Sequence, residues 1–203
     1  MLDSYLRVHI DPPLKKIAAF FKYTPITPNQ LTWAGFIIGA VACFLAVLQL
    51  YLWALLCLVL NRLLDGLDGA GARIKDQSSD LGGYLDIILD FFIYGGFPLC
   101  IAIGLSTIEA AYATAFLLFC IITTGTSFLA YAIIAAKNNM ETEHQGKKSF
   151  YYSYGLMEGT ETILFLCLMC FLPQYFVILC IIFGVLCLVT TATRIFMVSQ
   201  VFK

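Results

Sequence analysis

From Leu31 onward the chain consists of apolar stretches, each of about 20 residues, parted only by short polar breaks. The breaks fall at Gln49, at Lys75 to Ser79, at Gly104 to Thr107, at Lys137 to Lys148 and at Pro173-Gln174. Backbone in hydrocarbon must satisfy its own polar groups, and continuous apolar runs of this length do so as helices. The composition agrees. The chain is 61% hydrophobic and 12% charged, which no ordinary soluble domain is. The predicted class is therefore an all-α integral membrane protein. It is a bundle of about six transmembrane helices, over 30–49, 51–74, 80–104, 107–136, 151–171 and 174–200. Residues 1–27 carry Arg7, Lys15, Lys16 and Lys22 and lack a compact apolar segment, so the first span is predicted to be a retained anchor.

Ahead of the spans, Leu14, Ile17, Ala18 and Phe21 form an apolar stripe beside Lys15, Lys16 and Lys22. This predicts an N-terminal interfacial amphipathic helix within residues 2–22, lying among lipid headgroups. An arm packed on the bundle fits the same stripe. The chain accordingly divides into an N-terminal juxtamembrane helix and linker, 1–27, and a transmembrane domain, 28–203.

Lysine and arginine are one-sided. Arg7, Lys15, Lys16 and Lys22 precede the first span, Arg73 and Lys75 follow the second, Lys137, Lys147 and Lys148 follow the fourth, and Lys203 ends the chain. The other three connections carry none. Both termini are predicted to be cytoplasmic, in a multi-pass protein of a bacterial-type inner membrane. No feature suggests nucleic acid as a partner. The eight cysteines all sit in apolar runs and read as small fillers, without disulfides or zinc. Phe150, Tyr151, Tyr152 and Tyr154 read as an interfacial aromatic belt.

Against this background four aspartates stand out. The sequence reads Asp65-Gly-Leu-Asp68-Gly69-Ala-Gly-Ala72-Arg73, then eight residues, then Gly82-x-x-x-Asp86-x-x-x-Asp90. An ionisable residue in a span is costly and marks function by default. Asp65 and Asp68 share one helix face, and so do Asp86 and Asp90. Two helices joined by a short loop are predicted to be antiparallel neighbours, both pairs of carboxylates facing one crevice. Gly66, Gly69, Gly71, Gly82 and Gly83 let the backbones approach, or leave room for a ligand. Clustered carboxylates repel unless a cation is shared, and all-oxygen ligands suit a hard divalent ion. Four carboxylates allow two ions, an arrangement suited to phosphoryl transfer. Arg73 adds a fork for phosphate. Intramembrane carboxylates also serve ion pathways, so a cation- or proton-coupled transporter is the alternative of a different class.

These residues also carry a resemblance. Asp-x-x-Asp-Gly-x-x-Ala-Arg, eight residues, then Gly-x-x-x-Asp-x-x-x-Asp is the signature of the CDP-alcohol phosphotransferases, and all eight fixed positions from Asp65 to Asp90 match. Ile26-Thr-Pro28-Asn29-Gln-Leu-Thr32 resembles that family's entry to its first helix, and the run from Tyr151 through Glu161 resembles a bacterial branch. The resemblance implies that Asp65, Asp68, Asp86 and Asp90 hold Mg2+ or Mn2+, two ions in all. It implies that Asp90 is also the base that deprotonates the acceptor. Gly69, Ala72, Arg73 and Gly82, with Asn29 nearby, would line the site for the CDP-linked donor. The implied reaction is transfer of a phosphatidyl group from CDP-diacylglycerol to a small polar alcohol, releasing CMP, by an enzyme of phospholipid biosynthesis that forms homodimers. Glycerol 3-phosphate is the preferred acceptor. Inositol phosphate, serine, another phospholipid, and the reversed use of a CDP-amino-alcohol with diacylglycerol stay open.

The acceptor site is predicted from the remaining basic residues: Lys137, Lys148 and Arg194, with Lys147 beside them. The lysines serve equally as topology anchors. Arg62, three residues before Asp65, is predicted to pair with an aspartate of its own helix or to snorkel. Glu158 and Glu161 either shape the acceptor pocket or pair with Arg194 or Lys148.

Overall fold

The computed structural model describes residues 12–14, 16–21, 23–138 and 157–201. Residues 12–14 and 16–21 are helical, and six further α-helices follow among the described residues: α1 (Pro28–Val47), α2 (Tyr51–Lys75), α3 (Asp80–Leu105), α4 (Ile108–Lys137), α5 (Gly159–Phe171) and α6 (Phe176–Val201). Four of them, α1, α3, α4 and α6, are long and apolar enough to cross a membrane. α2 has the length, with 25 residues, but its second half carries the charged motif.

Local chemistry sets the helix ends. Thr27 caps α1 through a reciprocal box with Gln30: Gln30 N donates to Thr27 Oγ1 at 3.3 Å, and Thr27 N donates to Gln30 Oε1 at 2.9 Å. Pro28 follows at the first helical position, where its missing N–H costs nothing. α1 therefore starts two residues before the predicted span. Asp76 closes α2 in the left-handed conformation, with φ 54°. Ser79 then caps α3, its Oγ accepting from Gly82 N at 3.1 Å. α5 begins at Gly159, well after the predicted position 151. Met157 and Glu158 are not helical, and Glu158 N donates to Glu161 Oε2 at 3.2 Å. This capping contact gives the two glutamates a shared local role that their spacing left undecided. Residues 139–156, including the whole of the predicted aromatic belt, lie outside the described residues.

α1 packs along both α2 and α3, α4 packs along α6, and α5 touches α2, α3 and α6. The neighbour relation predicted for the two aspartate helices needs correction: the backbones of α2 and α3 scarcely meet, because α1 fills the angle between them. The α1 contacts are made by small residues. Gly35, Gly39, Ala42 and Ala46 are buried on one helix and Ala54 on the next. Gly104 at the end of α3 makes the closest approach to another helix's backbone. A Cβ there would lie 2.7 Å from Val47 O and 2.9 Å from Ala46 O. At the same place Gln49 Nε2 donates to Gly104 O at 2.6 Å.

The main apolar core among the described residues includes Leu58, Ile93, Phe97, Ile101, Leu117, Leu166, Phe176 and Phe183. The exterior is equally apolar: Phe44, Trp53, Phe119, Ile122, Ile178 and Phe196 are all exposed. A surface like this belongs in lipid. All eight cysteines are free thiols. In the N-terminal segment, Leu14, Ala18 and Phe21 pack against Leu67 and Ala70 of α2. Ile17 and Phe20 point away and are exposed. Lys75 Nζ secures the connection to α1, donating to Thr24 O at 2.9 Å and Ile26 O at 2.6 Å.

Candidate active site

The last turns of α2 and the first turns of α3 bring the acidic residues together although the backbones stand apart. One carboxylate oxygen each from Asp65, Asp68 and Asp86 lies within 4.8 Å of the others. Asp68 is only 6% exposed, and its Oδ2 is buried without a hydrogen-bond partner. An anionic oxygen left unpaired inside a membrane protein is a high-cost arrangement that a bound cation would relieve. The donor set is all oxygen, which suits Mg2+ or Mn2+. The three residues thus fit a divalent ion.

Asp90, one turn beyond Asp86, has different partners. Its Oδ1 lies 2.6 Å from Arg62 Nη1, and its Oδ2 accepts from Tyr94 OH at 2.9 Å. Arg62 Nη1 is also 3.6 Å from Asp65 Oδ2, so the intrahelical pairing read from the sequence is present beside a shorter bond across to α3. Arg62 Nε donates to Asn61 Oδ1 at 2.8 Å, and the guanidinium lies over the Tyr94 ring at 5.6 Å. Asn61 is buried and donates from Nδ2 to Gly35 O of α1 at 2.9 Å. The small cleft between these groups is lined by Thr32, Asn61, Arg62, Asp65, Asp86 and Asp90.

The remaining motif residues surround the same end of the bundle. Asn29 in the first turn of α1 faces Gly82 in the first turn of α3: a Cβ on Gly82 would lie 3.2 Å from Asn29 Oδ1. Gly69 and Ala72 stand on the last turns of α2 with Arg73, which is exposed. Arg73 Nη1 would be 3.6 Å from a Cβ on Gly69. A Cβ on Gly71 or on Gly83 would meet nothing within 4 Å. Of the two roles read for these glycines, leaving room for a ligand fits the open positions.

Lys137 ends α4 and is exposed. Lys148 lies outside the described residues. Arg194 of α6 crosses to α4, where Nη1 donates to Thr124 O at 2.9 Å and Ser127 Oγ at 3.2 Å, with the guanidinium over Phe128 at 5.5 Å. Sequence reasoning missed Asn61 and Tyr94. Tyr94 continues the four-residue step of Gly82, Asp86 and Asp90, and Asn61 is an amide in an apolar run just before an arginine.

A family model described as CDP-alcohol phosphatidyltransferase matches residues 25–202. The chain belongs to the CDP-alcohol phosphatidyltransferase family. It is accordingly a membrane transferase of phospholipid synthesis, which removes the transporter alternative. Inner membrane protein YnjF of Escherichia coli is 46% identical over 195 residues, 96% of this chain and 94% of that protein. With the long apolar helices, this likeness agrees with a bacterial inner-membrane protein. Archaetidylinositol phosphate synthase of Pyrococcus horikoshii is 39% identical over 87 residues, 43% of this chain and 46% of that one. The crystal structure of Mycobacterium tuberculosis phosphatidylinositol phosphate synthase (PgsA1) with CDP-DAG bound shares the fold. Its TM-score is 0.65 at 17% identity, over 90% of this chain and 91% of that one. CDP-alcohol phosphatidyltransferases are in general dependent on divalent metal, in line with the aspartate cluster.

Proposed function

We propose that this enzyme transfers a phosphatidyl group from CDP-diacylglycerol to a small polar alcohol and releases CMP. The observation that carries the reading is the convergence of Asp65, Asp68 and Asp86 around one point, with a buried, unpartnered oxygen on Asp68. These three residues hold Mg2+ or Mn2+, which when bound neutralises charge on the diphosphate. Arg73, exposed at the mouth, grips a donor phosphate in a fork. Asn29, Gly69, Ala72 and Gly82 line the donor site, where the absence of large side chains admits the nucleotide. Asp90 is oriented by Arg62 and Tyr94 and takes the proton of the attacking hydroxyl.

Glycerol 3-phosphate is our first choice of acceptor, because Arg194, with Lys137 and Lys148, offers cations suited to a phosphorylated alcohol. Inositol phosphate is the second choice, on the name of the P. horikoshii relative. The one-sided lysines and arginines support cytoplasmic termini and a cytoplasmic active site. Residues 1–27 act as a juxtamembrane unit ahead of the domain 28–203, and the protein works as a homodimer. A screen of glycerol 3-phosphate, inositol phosphate and serine with labelled CDP-diacylglycerol tests the acceptor. Phosphatidylglycerol phosphate as the dominant product is expected, and a product formed only with serine would contradict the phosphate-binding role of the basic residues.

A further inference from the structure

We infer that the N-terminal segment braces the aspartate-bearing half of α2 from behind, and that Leu14, seated on Gly66, is a positioning residue for metal binding. The inference rests on the metal site proposed above. That half of α2 needs support. Gly66, Gly69 and Gly71 stand within it, and glycine in a helix interior is second only to proline in weakening it. The backbones of α2 and α3 scarcely meet. Yet α2 stays helical to Lys75, and metal ligands must be held within about 0.5 Å of their working positions.

The support is a second apolar cluster, apart from the main core. Ala18, Leu67 and Ala70 are buried in it, with Leu14, Phe21 and Ile74 packed against them. The contacts advance along both elements in the same direction. At one end, a Cβ on Gly66 would lie 3.0 Å from Leu14 Cδ1 and 3.6 Å from Cδ2, so the bare backbone of Gly66 forms the seat for Leu14. At the other, Lys75 Nζ donates to Thr24 O at 2.9 Å and to Ile26 O at 2.6 Å. The segment therefore runs beside the motif from Gly66 to Lys75. At about 3.6 residues per turn, Gly66, Leu67, Ala70 and Ile74 share the face of α2 turned away from Asp65, Asp68 and Ala72. Leu14 acts through the backbone of α2: it fixes where that backbone stands, and so where the carboxylates on the far face stand. Gly66 is thus accounted for by close packing, unlike the open positions Gly71 and Gly83.

The test is a volume swap across the seat, read by Mn2+ titration of the purified full-length protein alongside its melting temperature. Leu14→Ala empties the seat and Gly66→Val fills it. Each is expected to weaken Mn2+ binding by about tenfold, the lower end of what groups behind a metal ligand are worth. The double variant Leu14→Ala/Gly66→Val returns the lost volume from the other side and is expected to bind within about twofold of wild type, as is the conservative Leu14→Met. Gly104→Ala, strained at the opposite end of the bundle, is expected to lower the melting temperature and leave Mn2+ affinity unchanged. Gly66→Val serves if Leu14→Ala does not fold. Unchanged affinity in the folded single variants, no recovery in the double, or an equal loss in Gly104→Ala would overturn the inference. Wild type that binds no manganese would instead overturn the metal site of the proposed function, and the inference with it.

Discussion

Arg62 and Asp90 stand 28 positions apart in sequence and 2.6 Å apart in space, the shorter of the two ion pairs that Arg62 makes. The contact ties the second helix to the third at the site where their backbones separate. It is a side-chain bridge across a crevice, and the chemistry is proposed to occur beside it.

Asp90 is the residue expected to remove the acceptor proton. Asp90→Asn keeps the shape and loses the base. CMP release should fall by a factor of about 10²–10⁴, the usual worth of a positioned general base. Binding of CDP-diacylglycerol, followed by equilibrium dialysis of labelled donor, should persist. Wild-type turnover in this variant would remove Asp90 from its role.

Asp68 carries a cost in the metal-free protein, since its Oδ2 is buried and unpartnered. Asp68→Asn removes that buried charge. Without metal, the variant should therefore melt at or above the wild-type temperature in detergent. Added Mn2+ should stabilise wild type by about 2.7 kcal/mol at a hundredfold excess over its dissociation constant, and the variant by much less. Equal stabilisation of both by Mn2+ would place the ion elsewhere.

Two glycines test the packing and separate it from the chemistry. In Gly104→Ala the new methyl meets backbone carbonyls at 2.7 and 2.9 Å, which cannot swing aside as a side chain would. The expected loss is about 1–3 kcal/mol in thermal or denaturant unfolding. Gly83→Ala meets nothing within 4 Å and should gain up to about 1 kcal/mol from helix propensity. Similar effects from both would mean that α1 and α3 do not meet as described.

Arg194 is proposed to bind the acceptor phosphate. Arg194→Ala should raise the apparent KM for a phosphorylated acceptor more than that for CDP-diacylglycerol. Its bonds to Thr124 and Ser127 also join α6 to α4, so a purely structural role would alter both constants alike. Steady-state kinetics with each substrate varied in turn decides between them.

Much of this molecule is legible in its sequence because the bilayer leaves few alternatives. The polar breaks at Gln49, 75–79 and 104–107 fall where helices end, and the aspartate motif identifies the family. Errors arose where local patterns trade against tertiary packing. The short 76–79 connection implied that α2 and α3 would lie together, but small residues on α1 draw that helix between them. Glu158 and Glu161 sat at a spacing that fits a cap as well as a binding site, and the cap contact delays α5 to Gly159. The spacing of Arg62 to Asp65 accounts for an intrahelical pair and signals nothing beyond it. Its bond to Asp90 and the support from Asn61 and Tyr94 depend on three helices meeting, which no single-helix pattern encodes.

The most direct test of the account is CMP release from CDP-diacylglycerol by purified protein, with the acceptor panel present, after chelation and after restoring Mg2+ or Mn2+. The expected result is no release in chelator and full recovery on adding either ion. Release undiminished in chelator would contradict a reaction built on Asp65, Asp68 and Asp86.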